Sequence, residues 1–247
     1  MFFGKRIACV IPARLQSTRF PRKVLMSIGN KPILQWIWES ASKINIFDTV
    51  VFAVDAPETA DLLASFGAPF IMTSPHHPSG TDRLAEVASK SGIQADIWVN
   101  WQGDEPFIAE KMILDLLGNG QDTTAEIWTL KKPIHDQYEV TSPQFAKVVC
   151  DANDYALYFS RSPIPFYREN DQEKIYYKHV GMYAFTTAAL KKIASIPASF
   201  LENAEKLEQL RWLQHRLLVK VHETDQLAFG IDFPHDIEKA EALLKNR

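Results

Sequence analysis

The sequence predicts an α/β fold: a mainly parallel sheet with helices on both faces and an antiparallel extension. Three observations predict it. Short apolar runs alternate with helix-length amphipathic segments through the first 101 residues, as a parallel sheet with crossover helices requires. After residue 125 the strand-like runs continue without full helices between them, which calls for antiparallel or edge pairing. Of 247 residues, 46% are hydrophobic and 23% charged, enough apolar material for one sizeable core or two small ones. A soft boundary near residue 125 divides 1–125 from 126–247, with one continuous sheet expected to run through both.

Residues 7–11, Ile-Ala-Cys-Val-Ile, suit a buried strand ended by Pro12. Residues 32–43 read as a helix with Pro32 in its first turn. A second buried strand covers 50–54. The helix that follows, 58–66, is stopped by Gly67. A short strand at 70–72, a helix at 81–90 before Gly92, and a strand at 97–101 complete the alternation. Beyond the boundary, 126–134, 146–151 and 180–185 read as strands, and 203–218 as one long helix. The polar stretch 167–174 reads as a mobile loop.

Composition excludes several classes. A net charge of -3 provides no basic field for nucleic acid. Mean hydropathy is -0.16, and no run approaches the ~18 apolar residues of a membrane span. An aromatic content of 11% is too high for a disordered chain. Cys9 and Cys150 sit in apolar runs and read as buried, reduced thiols. The amino-terminal residues lack the zones of a signal peptide, so a cytoplasmic protein is expected.

The first 38 residues carry Lys5, Arg6, Arg14, Arg19, Arg22, Lys23 and Lys31 but no acid; Glu39 is the first. Four of these cations fall between Pro12 and Lys23, directly after the first strand. Ligands of open α/β sheets bind at the carboxyl ends of strands. A loop there with Arg14, Arg19 and Lys23 suits a highly charged anion such as a nucleoside triphosphate; the plainer reading is a solvated basic face. The ten glycines satisfy neither G-x-x-x-x-G-K-S/T nor G-x-G-x-x-G, since Thr123 stands where Gly118 and Gly120 would need a third. Phosphates would therefore be held largely by side chains.

Two acids share a context. Asp104, in Gln102-Gly103-Asp104-Glu105-Pro106, and Asp232, in Gly230-Ile231-Asp232-Phe233-Pro234, each precede a proline by two residues. Carboxylates suit Mg²⁺, which needs only one or two of them besides water and substrate phosphates. Asp104 reads equally as a turn residue, and Asp232 as the cap of a last helix. His76 and His77, adjacent in a loop without an acid or thiol partner, read as surface groups. Trp36 and Trp38 read as packing residues rather than a base-stacking platform.

These motifs, in order, resemble a known family. Residues 11–23, together with 79–84 (Ser-Gly-Thr-Asp-Arg-Leu), 102–106, 155–161, 179–183, 207–211 and 232–234, are similar to those of CMP-Kdo synthetases, the 3-deoxy-manno-octulosonate cytidylyltransferases of lipopolysaccharide synthesis. The resemblance spans about residues 7 to 240. One departure stands out: the family usually has Gly where this chain has Arg22.

The resemblance implies a Rossmann-like nucleotidyltransferase fold and a reaction. The anomeric hydroxyl of 3-deoxy-D-manno-octulosonate (Kdo) attacks the α-phosphorus of CTP, with Mg²⁺ present, giving CMP-Kdo and pyrophosphate. It makes 1–125 the nucleotide half and 126–247 the half for sugar-acid binding and dimerisation. It implies that Arg14, Lys23 and Arg19 hold the triphosphate, that Ser79, Gly80 and Arg83 line the cytosine side with Arg83 contacting the base, and that Asp104 and Asp232 hold Mg²⁺. Gln102, Arg161, His179, Tyr183, Glu208 and Gln209 fall on its sugar-side positions. From the residues alone, His179 reads equally as a strand histidine, and Glu208 as an i,i+3 partner of Arg211. The resemblance further implies a homodimer, with 138–166 and 191–201 as contact segments. Its neighbours suggest an 8-amino analogue of Kdo or a sialic acid as other sugars. A glycosyltransferase would need an Asp-x-Asp motif that 104–105 does not provide, and a non-catalytic nucleotide-binding relative would be expected to lack Lys23 or one carboxylate.

Overall fold

The computed structural model describes residues 2–17, 20–118, 124–169 and 173–245. The chain divides into two compact units, 1–110 with 226–247, and 111–225. The first break therefore lies earlier than residue 125, and the carboxyl-terminal segment returns to the first unit. Composition does not mark either crossing point: the first falls in the first turn of the helix Glu110–Leu117 and the second just after the strand Val219–Glu223.

The first unit contains β1 (Ile7–Ala13), the small hairpin β2 (Ser27–Ile28) and β3 (Lys31–Pro32), α1 (Ile33–Ala41), β4 (Thr49–Val54), α2 (Pro57–Ser65), β5 (Phe70–Met72), α3 (Gly80–Lys90) and β6 (Ile97–Asn100). A helix over His235–Lys245 completes it. Four strands pair in the order β6-β1-β4-β5, all parallel. Every residue of β1 is buried, which is why its sequence is a continuous apolar run rather than an alternating one. The strand continues through Pro12 to Ala13, because a proline at a strand end still offers its carbonyl; Pro12 O accepts the Gly103 N–H at 3.2 Å. Helix α1 buries Ile33, Leu34, Ile37 and Ala41, the spacing of one helical face. Gly67 ends the α2 segment with φ +71°, a left-handed conformation that favours glycine. Cys9 is buried, and burial pushes its thiol pKa up, so it stays protonated.

The second unit contains α4 (Glu110–Leu117), β7 (Ile127–Ile134), α5 (Gln137–Thr141), β8 (Lys147–Cys150), β9 (Ala156–Ser160), β10 (Tyr176–Thr186), α6 (Thr187–Ile193), α7 (Phe200–Glu205), α8 (Gln209–Gln214) and β11 (Val219–Glu223). Strand β10 pairs antiparallel with β7 and β8, β8 pairs antiparallel with β9, and β11 runs parallel to β7. The expected antiparallel extension is thus present, with β9 and β11 as additions. The single helix expected over 203–218 is instead two short ones followed by β11. Lys206 takes a left-handed conformation at φ +54°, which ends α7, and a Ser199–Glu202 capping box starts it. Residues 170–172 of the expected 167–174 loop lie outside the described residues; at its near end the Tyr167 hydroxyl donates to Ile175 O and accepts the Ile175 N–H.

Candidate active site

A cavity of about 590 Å³ in the first unit is lined by the carboxyl end of β1, the cationic loop, the amino end of α3 and the turn after β6. Arg14, Lys23, Gly80, Gln102 and Asp104 are on its wall. This is the edge of a parallel sheet where ligands gather. Gly103 makes the arrangement possible: a Cβ there would sit 2.6 Å from Pro12 O, so only glycine lets the two strand ends approach this closely.

At one end of the cavity the Lys23 ammonium hydrogen-bonds Asp104 Oδ2 and, at 3.2 Å, Asp232 Oδ1. Asp104 and Asp232 are 128 positions apart in the chain, and the backbone joins them: Ile231 N–H donates to Asp104 O at 2.9 Å. The Asp232 N–H and that of Phe233 donate to Asp236 Oδ2, which ties this segment to the first turn of the last helix, and the Asp232 carboxylate faces Lys23. Glu105, next to Asp104, is pushed up to about 8 by burial, reinforced by the charges of Asp104 and Asp232. It is therefore largely neutral near pH 7, and its buried Oε2 has no hydrogen-bond partner among the described residues. One ammonium between two carboxylates leaves a net negative charge facing a cavity that also holds Arg14.

The other nucleotide-side residues are distributed less uniformly. Ser79 caps α3, its Oγ accepting the Asp82 N–H at 3.1 Å, and Gly80 beside it lines the cavity. Arg83, expected against the base, is instead fully buried and is not among the lining residues. It lies on the core-facing stripe of α3 with Leu84 and Val87, and its guanidinium pairs with Asp55 Oδ2 at 2.9 Å and with the Thr73 hydroxyl. Arg19 lies outside the described residues. The His76–His77 pair is engaged locally: His77 Nε2 hydrogen-bonds Glu86 Oε2 at 2.5 Å, and His76 N–H donates to Ser74 Oγ. Trp36 packs under the Lys31 ammonium and donates its indole N–H to Ile28 O.

In the second unit, His179 and Tyr183 lie on β10 on either side of a bulge, with ring centroids 5.4 Å apart. Thr129 on β7 closes the bulge, bonding Met182 O and, at 2.9 Å, His179 Nε2. With the hydroxyl proton given to Met182 O, His179 donates through Nε2–H. Burial lowers its pKa to about 3, which keeps the ring neutral. The Tyr183 hydroxyl is raised well above its ordinary value by burial and by the negative charge of Glu208, which places Glu208 beside it. Gln209, buried at the start of α8, follows directly. Glu208 also keeps its i,i+3 relation to Arg211, at 3.9 Å. Arg161 is a strut. Its guanidinium donates to Glu205 O at 2.6 Å, Pro143 O at 2.7 Å and Lys206 O at 3.3 Å.

The Cytidylyltransferase family profile matches residues 8–220. A 3-deoxy-manno-octulosonate cytidylyltransferase of Thermodesulfovibrio yellowstonii is 45% identical over 250 residues, covering 96% of this chain and 97% of that protein. One from Phocaeicola vulgatus is 44% identical over 249 residues, with 96% and 97% covered. The chain belongs to the 3-deoxy-manno-octulosonate cytidylyltransferase family. A solved structure of CMP:2-keto-3-deoxy-manno-octonic acid synthetase complexed with CTP superposes on this member with a TM-score of 0.91 at 39% identity, covering 98% of this chain and 99% of that one. The inositol-1-phosphate CTP transferase from T. maritima shares the fold at 16% identity and a TM-score of 0.68, with 99% and 97% covered.

For a member of this cytidylyltransferase family the Arg22 departure has a clear local meaning. Arg22 sits at φ +60°, ψ +21°, the left-handed region that glycine adopts without strain. Its N–H closes the loop on Leu15 O at 3.2 Å, and its guanidinium reaches Glu58 at 3.4 Å. Sequence reasoning gave no separate role to Glu105 or Thr129. Glu105 was visible as an acid inside the 102–106 turn, whereas nothing near Thr129 in the chain points to His179.

Proposed function

We propose that this chain transfers CMP from CTP to Kdo, releasing pyrophosphate and supplying an activated sugar acid for lipopolysaccharide assembly in the cytoplasm. The observation that carries the reading is the Lys23 ammonium held between Asp104 and Asp232 at the wall of a cavity that also presents Arg14. The anomeric oxygen of Kdo forms a new bond to the α-phosphorus, the bond from that phosphorus to the bridging oxygen breaks with its electron pair leaving on pyrophosphate, and the hydroxyl proton passes to solvent. Such a transfer needs positioning and charge compensation rather than a covalent nucleophile. Arg14 and Lys23 offset the triphosphate. Lys23 is already fixed by two carboxylates, so it is pre-set for the anion. His179, Tyr183, Glu208 and Gln209 provide the neutral and acidic hydrogen-bonding groups a polyhydroxylated sugar acid would use.

Mg²⁺ fits the residues present. Asp104 and Asp232 are hard oxygen donors with net negative charge between them, and Glu105 adds a buried, unpartnered carboxyl oxygen alongside. When bound by the two aspartates it would offset charge developing on phosphate oxygens and lower the pKa of a hydroxyl.

The test is a pyrophosphate-release assay with CTP, UTP, ATP and GTP against Kdo, with and without Mg²⁺, and with 8-amino-Kdo and sialic acid as competing acceptors. CTP with Kdo is expected to dominate, and to need the cation. No pyrophosphate from CTP and Kdo under any condition would overturn the proposal. A homodimer is part of this reading. Tyr138, Leu157, Phe166 and Phe200, all in the expected contact segments, are 60%, 61%, 88% and 80% exposed, apolar side chains that a dimer contact would cover. Light scattering should give twice the chain mass; a monomer at micromolar concentration removes the dimer.

A further inference from the structure

The structure assigns Asp55 as a positioning residue for the cationic loop, acting together with Arg83; this rests on the nucleotide reading above. Asp55 follows directly on β4, and its side chain is 9% exposed. One carboxylate oxygen, Oδ1, accepts the Leu15 N–H at 2.9 Å. The other accepts Arg83 Nη2 at 2.9 Å. Arg83 in turn reaches the Thr73 hydroxyl, which donates to Val54 O at 2.9 Å. Leu15 is therefore held on both sides, by Asp55 at its N–H and by the Arg22 N–H at its carbonyl. Those two bonds bracket the loop at residues 15 and 22, immediately inside the two triphosphate cations Arg14 and Lys23.

A buried arginine–aspartate pair is a poor choice for stability alone, since apolar residues of similar volume often serve as well. What an apolar pair could not supply is an acceptor for the Leu15 N–H. The Arg14 charge is also felt at Arg83, so Asp55 provides the compensating negative charge beneath a loop that carries only cations. Because both partners of Asp55 are donors, an asparagine can satisfy only one of them.

The test uses the full chain with Asp55→Asn. It compares CTP affinity by calorimetry without sugar, steady-state KM for CTP and for Kdo, and hydrogen exchange at the Leu15 amide. Loss of one hydrogen bond to a charged group should raise the Kd and KM for CTP about tenfold, leave the KM for Kdo within about twofold, and speed Leu15 exchange at least about tenfold. The sign separates positioning from bulk electrostatics: removing a negative charge near an anion site would by itself tighten CTP. CTP binding that is unchanged or tighter, or Leu15 exchange that is unchanged, overturns the proposal. If Asp55→Asn does not fold, Arg83→Lys decides by the same readouts, since lysine cannot span Asp55 and Thr73 as the guanidinium fork does. Wild-type protein that binds CTP but releases no pyrophosphate with Kdo would end the functional proposal while leaving these binding and exchange measurements decisive.

Discussion

Lys23 has only 12% of its side chain exposed and lies between two carboxylates, so each of the three groups sets the electrostatics of the others. Asp104→Asn or Asp232→Asn removes a charge and a hard oxygen donor while keeping shape, and kcat should fall at least ~100-fold in either variant. Near-wild-type turnover in either would remove that residue from the metal assignment. Arg22 is a different case. Its left-handed backbone costs a non-glycine residue about 1 kcal/mol, its exposed contact to Glu58 returns little, and glycine's extra freedom in the unfolded chain takes back part of the gain. Arg22→Gly should therefore raise stability by about 0.5 kcal/mol, seen as a slightly higher melting temperature. A lower one would mean that the Glu58 contact outweighs the strain. The cationic loop was legible in the sequence because a cluster of like charges without acids is rare, whereas Asp104 and Asp232 read there equally as turn and capping residues. The burial of Arg83 was not legible, because burial depends on which face of α3 meets the sheet and on Asp55 arriving from another strand.

At the level of elements, the site depends on the carboxyl ends of β1 and β6 lying side by side, parallel and in register from Ile7 against Ile97 to Val10 against Asn100. Gly103 holds that junction against Pro12 O. Gly103→Ala forces the backbones apart; it should destabilise the protein by about 1–3 kcal/mol and lower kcat at least ~10-fold, because Asp104 moves with its neighbour. Thermal unfolding and turnover measured on the same variant check both, and unchanged turnover would show that the turn tolerates the shift. The short strands and helices of the first unit were legible because their apolar periods are clean. The 203–218 segment was misread as one helix because Leu207, Leu210 and Leu217 suit a helical face; the left-handed Lys206 and the pairing of β11 with β7 break it. Strand pairing is a long-range interaction that overrides local pattern.

Across the whole molecule, stability should follow pH in a way one half-buried ring predicts. His179 titrates at about 3 in the folded chain against an ordinary 6.5, so below pH 6.5 the unfolded chain takes a proton that the folded chain refuses. Its contribution is present in full above 6.5 and is lost as pH falls from there towards 3. Between pH 7 and pH 5 the wild type should lose about 2 kcal/mol more unfolding free energy than His179→Asn, read from urea titrations at both values. Equal losses would mean that the ring protonates freely in the fold. By itself the sequence determined the α/β class, the parallel-to-antiparallel change, the acid-free cationic loop, and the family, because these rest on local periodicity, charge count and motif order. Only the tertiary structure decided that Asp232 meets Lys23, that Arg83 turns inward to Asp55, and where the two units divide. Those facts depend on contacts between residues far apart in the chain, and no local period or spacing encodes which distant backbones will meet.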